Sequence, residues 1–187
     1  MIVNGILFLL AGYFFSKLLD EMFRSRAATW IGTILFATNY AVISFGLNYL
    51  MDMGGWAFYI LSLYVVWRYW NGGERKWLLY SALAIGVGGL FKEYAFLGFI
   101  VLAGAIVVRK QWRDLLPAVL ISFLPAAIWY GYILSAYGYG YLDWIARNAG
   151  RYGESYSSRL VEYIKSFGSL FTFGWFLFLA GLRWWRE

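Results

Sequence analysis

The chain has 187 residues, of which 62% are hydrophobic, 23% are aromatic and only 14% carry a charge. A soluble domain carries roughly 25% charged residues, so this composition argues against a water-soluble domain and predicts a polytopic membrane protein. The sequence contains no Cys and no His, which excludes disulfides, thiol nucleophiles, Cys/His zinc sites and imidazole acid–base chemistry. The net charge of +6 is dispersed between apolar runs, so nucleic acid is not expected as a partner.

Seven apolar segments predict an all-α transmembrane bundle of about seven spans, because a spanning helix needs roughly 20 apolar residues. The whole chain, 1–187, is interpreted as a single transmembrane domain. The fourth and fifth segments are short and meet at Lys92-Glu93, which predicts two helices joined by a tight turn. The predicted spans are about 2–19, 28–47, 53–69, 77–91, 94–108, 115–134 and 167–184.

Basic residues set the expected orientation, because the cytoplasmic loops of membrane proteins are enriched in Lys and Arg. One set of connections holds 11 of the 16 basic residues and the other set holds 5. The richer side is predicted to be cytoplasmic, which gives a multi-pass protein of the cell membrane with its N-terminus outside and its C-terminus inside. A long loop at about 135–166 then lies on the outer face, and its amphipathic pattern predicts interfacial helices.

Asp52 is the only acidic residue between Glu21 and Glu74, and it lies between two apolar runs. An ionisable group at a bilayer boundary is costly, so Asp52 indicates a functional site on the outer face. The alternative is structural. In that interpretation Asp52 is the N-cap of the next helix and accepts hydrogen bonds from the amides of Gly54 or Gly55.

Lys92 lies on the side that is poor in basic residues, so membrane orientation does not explain it. A cation there suits the phosphate of a lipid-linked substrate, and the alternative is a side chain that snorkels to the interface beside Glu93. Arg147 and Arg151 share one face of a predicted loop helix, where they bind either a phosphate or sugar acid or the headgroups of membrane lipids. Asp52 and Glu93 are candidate ligands for a divalent cation, and no other cofactor is expected.

Four segments follow one another in a distinctive order. They are Leu-Phe-Ala-Thr-Asn at 35–39, Tyr-Leu-Met-Asp-Met at 49–53, Leu-Phe-Lys at 90–92 after a Gly-rich helix, and Leu-Pro-Ala-Ala-Ile-Trp-Tyr at 124–130 before the long outer loop. This order resembles the core of the GT-C superfamily of glycosyltransferases. The resemblance is to the branch that contains protein O-mannosyltransferases and the aminoarabinose transferase acting on lipid A.

The resemblance implies a hexosyl- or pentosyltransferase that moves a sugar from a polyprenyl-phosphate donor to a lipid, glycan or protein acceptor at the outer face. Asp52 matches the acid of the family's Asp-Met segment and is the candidate catalytic residue. Lys92 matches the basic residue that contacts the donor phosphate, and Glu93 follows it where the family has Gly. Tyr49 and Tyr130 lie in the matching segments and are further candidates for substrate contact.

Members of this family carry an earlier span and a first outer loop with the catalytic Asp that acts as general base. The present sequence is therefore expected to be a fragment of such an enzyme and inactive in isolation. Two other classes stay open, a membrane transporter and a non-catalytic membrane scaffold. Many transporters contain internal repeats and ionisable groups at mid-membrane, whereas this sequence has no evident repeat and its ionisable groups lie at one face, which favours the enzyme.

Overall fold

The structure, a computed structural model, describes residues 2–39, 42–140 and Asp143. The chain divides into two compact units, Met1–Gly138 and Tyr139–Glu187. In its described part the first unit consists of helices and turns without a strand, which confirms the all-α prediction. In the second unit the amide of Gly140 donates a hydrogen bond to a carboxylate oxygen of Asp143 at 2.8 Å.

Six α-helices follow one another in the first unit, in the order of the first six predicted segments. They are α1 Ile2–Phe23, α2 Arg26–Ala37, α3 Leu50–Gly72, α4 Arg75–Phe91, α5 Leu97–Val108 and α6 Leu115–Tyr137. A π-helical turn, Val42–Gly46, and two 3-10 turns, Glu93–Phe96 and Trp112–Asp114, lie between them. The predicted seventh span 167–184, the loop helices, Arg147 and Arg151 lie outside the described residues.

The predicted second span, 28–47, does not form one continuous helix. α2 stops after 12 residues, which rise about 18 Å, whereas the hydrocarbon core of a bilayer is roughly 30 Å thick. The hydroxyl of Thr38 donates to the carbonyl oxygen of Ile34 at 2.7 Å, and the side-chain oxygen of Asn39 accepts from the amide of Val42 at 3.4 Å. Such short polar side chains compete with the helix for hydrogen bonds to backbone groups. A prediction based on apolar runs does not include these bonds.

Consecutive helices alternate in direction, so their termini form two groups. The Asp52 end contains the starts of α1, α3 and α5 and the C-termini of α2, α4 and α6, and the Arg68 end contains the opposite termini. Side-chain contacts establish this arrangement, since Lys92 lies beside Asp52, and Arg68 of α3 lies beside Glu21 of α1. Of the basic residues that the structure describes, all except Lys92 lie toward the Arg68 end.

Two apolar clusters hold the helices together. Helices α3 to α6 share a core in which Leu78, Ile85 and Leu102 are completely buried. Helices α1, α2 and α3 meet in a second cluster around Ala11 and Met53. Because α3 belongs to both clusters, it is the central helix of the unit, and Asp52 lies in its first turn.

The outward faces of the helices are apolar as well. Ile100 on α5 and Leu116 on α6 are 67% and 66% exposed, and many other large apolar side chains share this exposure. Exposed apolar surface of this extent is typical of a surface that contacts a membrane or a partner. Two helical stretches, Ile2–Phe23 and Trp112–Tyr137, are long and apolar enough to cross a membrane by length and composition. Membrane association is therefore supported, and the number of spans stays a prediction.

Candidate functional site

Asp52 lies inside the first turn of α3. The helix begins at Leu50, and its N-cap residue is Tyr49, whose side chain makes no capping hydrogen bond. The predicted alternative that Asp52 is the N-cap is therefore wrong, because the helix starts earlier than the apolar run indicates. A carboxylate in the first turn still favours the helix, since it lies near the positive end of the helix dipole.

Lys92 brings a cation to Asp52. Its Nζ atom lies 3.4 Å from Oδ1 of Asp52, and the two side chains are 36% and 24% exposed. The separation exceeds the ~2.7–2.9 Å of a tight charge-assisted hydrogen bond, and an ammonium has three donors. The pair is therefore loose and partly open, so the ammonium keeps donors for a ligand.

The chain turns sharply at Lys92. Lys92 follows the last residue of α4 with extended backbone angles, φ −155° and ψ 135°, and Glu93 begins the 3-10 turn that leads into α5. The predicted tight turn at Lys92-Glu93 is confirmed. Among the described residues the ion-pair partner of Lys92 is Asp52, not its neighbour Glu93.

Two glycines on α3 permit this pairing. Gly54 and Gly55 follow Asp52 in the same helical turn and contact the corner between α4 and the 3-10 turn. A Cβ atom built on Gly55 would lie 2.7 Å from the Cβ of Lys92, and one built on Gly54 would overlap the ring of Phe91. Because glycine has no side chain, the corner that carries Lys92 packs directly on the backbone of α3.

Matching glycines on α4 complete the crossing. A Cβ atom built on Gly88 would lie 2.8 Å from the Cβ atoms of both Phe58 on α3 and Ala95 in the 3-10 turn. One built on Gly89 would overlap the ring of Phe96. The Gly-rich segment of α4 is thus the surface on which the turn after Lys92 folds back.

Tyr94 is a residue of this site that the sequence analysis missed. Its hydroxyl donates a hydrogen bond to the backbone carbonyl oxygen of Asp52. Its ring packs against Trp56, with the ring centroids 6.3 Å apart. These contacts fix the 3-10 turn against the first turn of α3. The available signal was the position of Tyr94, two residues after Lys92 in the connection between two predicted spans.

The other predicted site residues are less closely associated with the pair. Tyr49 is 58% exposed at the start of α3, and Glu93 is exposed in the 3-10 turn. Tyr130 is half-buried on α6, within electrostatic reach of Glu93. The structure therefore places Asp52 and Lys92 in direct contact and Glu93 and Tyr130 near each other, while Tyr49 remains at the surface.

The described residues contain no group of three or more acidic side chains that could hold a metal ion. The carboxylate of Asp52 is paired with Lys92, and a neighbouring ammonium disfavours a second cation there. The divalent cation that Asp52 and Glu93 were expected to share therefore stays a prediction without structural support.

The Arg68 end differs in that its charged residues pair with one another. The ion pairs are Arg68 with Glu21 at 2.8 Å, Arg75 with Asp114 at 3.0 Å and Lys76 with Glu74 at 2.6 Å. Hydrogen bonds from Lys76, and then from Trp77, lower the pKa of Glu74, which lies in the turn between α3 and α4. These pairs use three of the nine basic residues that the structure describes at this end, so the end keeps a net positive charge.

Comparison with protein-family models, with curated proteins and with solved structures finds no match.

Proposed function

We propose that the chain is part of a polytopic membrane glycosyltransferase whose Asp52 end binds the phosphate of a polyprenyl-phosphate sugar. The observation that carries this proposal is the loose pair of Lys92 and Asp52, held by glycine packing at an end that has no other described basic residue. A cation that is fixed in place and partly open suits a phosphate. The donor class comes from the order of segments that resembles GT-C glycosyltransferases.

The proposed arrangement has seven spans, with the Asp52 end at the outer face and the Arg68 end in the cytoplasm. Support comes from the apolar outward faces of the helices and from the basic residues, nine of the ten described ones lying toward the Arg68 end. Donor phosphate and acceptor meet at a membrane interface in such an enzyme. A loose ion pair at one end of the bundle suits that task better than it suits a path through the membrane centre.

Each residue of the pair has its own role in this proposal. Lys92 donates to the donor phosphate with the hydrogens that do not point at Asp52. Asp52 holds the ammonium in position while the site is empty and is the candidate acid–base residue. Tyr94 positions both, because its hydroxyl is bonded to the Asp52 backbone and its turn carries Lys92.

Binding of decaprenyl phosphate to the full chain in detergent tests the proposal, with uncharged decaprenol as the matched control ligand. A hydrogen bond to a charged group contributes about 1.5–3 kcal/mol, so Lys92→Ala is expected to weaken phosphate binding by roughly 10- to 150-fold. Lys92→Arg keeps the charge and retains part of the affinity. Asp52→Asn removes a negative charge beside the phosphate, so the affinity is expected to stay the same or rise.

The control variant is Lys76→Ala, which removes an exposed cation at the Arg68 end and should leave binding unchanged. Decaprenol should bind equally to every variant, since it has no phosphate. If Lys92→Ala binds decaprenyl phosphate within twofold of the original chain, Lys92 only snorkels to the interface and the proposed donor site is wrong.

A further inference from the structure

A second site lies at the opposite end of the bundle. An open pocket of about 610 Å³ is formed by the start of α4 and the connection between α5 and α6. The pocket brings three cationic side chains together with one carboxylate, which gives it a net charge of +2. Its lining residues are Arg75, Lys110, Gln111, Trp112, Arg113 and Asp114.

The walls of this pocket are fixed by contacts to the helices behind it. The hydroxyl of Tyr69, a completely buried residue of α3, donates to the side-chain oxygen of Gln111. Nε of Arg75 lies 3.0 Å from Asp114. The guanidinium of Arg109 lies over the ring of Tyr69, 5.5 Å from its centroid. The connection between α5 and α6 is therefore anchored in the core.

Two of the three cations are not used by these contacts. Arg75 is paired with Asp114, whereas the side chains of Lys110 and Arg113 make no hydrogen bond or ion pair with any residue in the described part of the chain. Both are exposed. Lys110 also has a φ of 56°, in the left-handed region that residues other than glycine rarely adopt. This conformation ends α5, because the amides of Lys110 and Gln111 donate to the carbonyl oxygens of Val107 and Ile106, both at 3.0 Å.

The pocket also has an apolar rim that suits a membrane interface. Trp112 is 58% exposed beside Lys110 and Arg113. Trp rings settle at the level of lipid headgroups, and basic pockets on the cytoplasmic side of membrane helices bind anionic headgroups. Arg113 matches the geometry of a phosphate oxygen pair, and Lys110 adds a second positive charge.

We propose that this pocket binds the phosphodiester headgroup of an anionic phospholipid in the cytoplasmic leaflet. The proposal shares the membrane orientation of the proposed function but is independent of the donor site at Lys92. Each of the two uncommitted cations in the pocket is expected to strengthen binding of the bound headgroup by roughly 5-fold, and the two together by about 30-fold.

The test measures binding of phosphatidylglycerol and of phosphatidylcholine with identical acyl chains to the full chain by native mass spectrometry. The double variant Lys110→Gln/Arg113→Gln is expected to lose about 30-fold in affinity for phosphatidylglycerol and nothing for phosphatidylcholine. The matched control is Arg24→Gln/Arg26→Gln, which removes the same charge from the same end but outside the pocket. It should bind phosphatidylglycerol within twofold of the original chain.

Further variants and ligands separate the remaining outcomes. Lys110→Arg/Arg113→Lys keeps both charges and should keep most of the affinity, which excludes misfolding as the cause of a loss. Equal losses in the pocket and control variants would mean that general surface charge is responsible and would overturn the site. Displacement of the lipid by millimolar glycerol 1-phosphate would identify a free phosphate ester as the ligand, against the lipid. Absence of any preference for phosphatidylglycerol would also overturn the proposal, with no consequence for Lys92.

Discussion

At the Asp52 end the helices meet through glycines, whereas at the Arg68 end they meet through charged side chains. Gly55 and Gly88 bring α3, α4 and the 3-10 turn into contact at distances that leave no space for a Cβ atom. At the other end Arg75 reaches Asp114 across two connections through an exposed ion pair. The glycine contacts fix backbones, whereas the ion pair joins the ends of two flexible side chains.

The two ends therefore suit different ligands, a single phosphate group at the Asp52 end and a lipid headgroup at the Arg68 end. Glycine packing holds Lys92 and Asp52 at a defined separation, which a site for one specific phosphate group requires. The Arg68 end has most of the described charges, and its proposed ligand is a lipid headgroup that is abundant and mobile. Three experiments test or sharpen the comparison, in order of decreasing effect.

The largest expected effect is an all-or-none difference in labelling between the two ends. The sequence contains no Cys, so Asn71→Cys at the Arg68 end and Ser135→Cys at the Asp52 end are each unique, and both positions are exposed. A membrane-impermeant maleimide applied to intact cells should label Ser135→Cys, while Asn71→Cys should react only after permeabilisation. The reverse pattern would place the Asp52 end in the cytoplasm and would contradict the proposed donor site.

Much of the helical fold could be predicted from the sequence, because apolar runs and turn residues are local signals. The six described helices follow the predicted order, and the turn at Lys92-Glu93 lies where it was expected. The prediction of one continuous helix over 28–47 was wrong, because Thr38 and Asn39 bond to nearby backbone groups and end α2. Those bonds are made by single polar residues, which a count of apolar residues does not weigh.

The candidate site could be predicted only in part. Asp52 and Lys92 stand out in the sequence because a charge in an apolar context is costly, and the structure brings them together. The sequence does not show that Tyr94 bonds to the Asp52 backbone or that Gly55 contacts Lys92. Both contacts join residues about 40 positions apart, so they depend on how α3 and α4 pack and not on a local pattern.

An intermediate effect is expected for Gly55→Ala. The new Cβ atom would lie 2.7 Å from the Cβ of Lys92, and overpacking of this kind lowers the free energy of unfolding by about 1–3 kcal/mol. Gly104→Ala is the control, because in the described part of the chain no atom apart from its own helix backbone and chain neighbours lies within 4 Å of its Cβ position, and alanine favours a helix over glycine by roughly 0.5–1 kcal/mol. Denaturation in detergent, followed by tryptophan fluorescence, measures both. Equal stability of the two variants would show that the Asp52 end is loosely packed.

The smallest effect is expected for the ion pair between Arg75 and Asp114, measured by a double-mutant cycle with Arg75→Gln and Asp114→Asn in a detergent without anionic lipid. The side chain of Arg75 is 64% exposed, so solvent screens the pair, and its coupling should be at most about 1 kcal/mol. It should shrink further in 1 M salt, where the screening length falls to about 3 Å. The cycle is needed because each single variant also changes the surroundings of the pocket. Subtracting the effects of the two single variants from that of the double variant leaves the coupling energy of the pair. A coupling as large as the effect of Gly55→Ala, and insensitive to salt, would mean that the Arg68 end is held as firmly as the Asp52 end. In that case glycine packing would no longer distinguish the end that carries the proposed donor site.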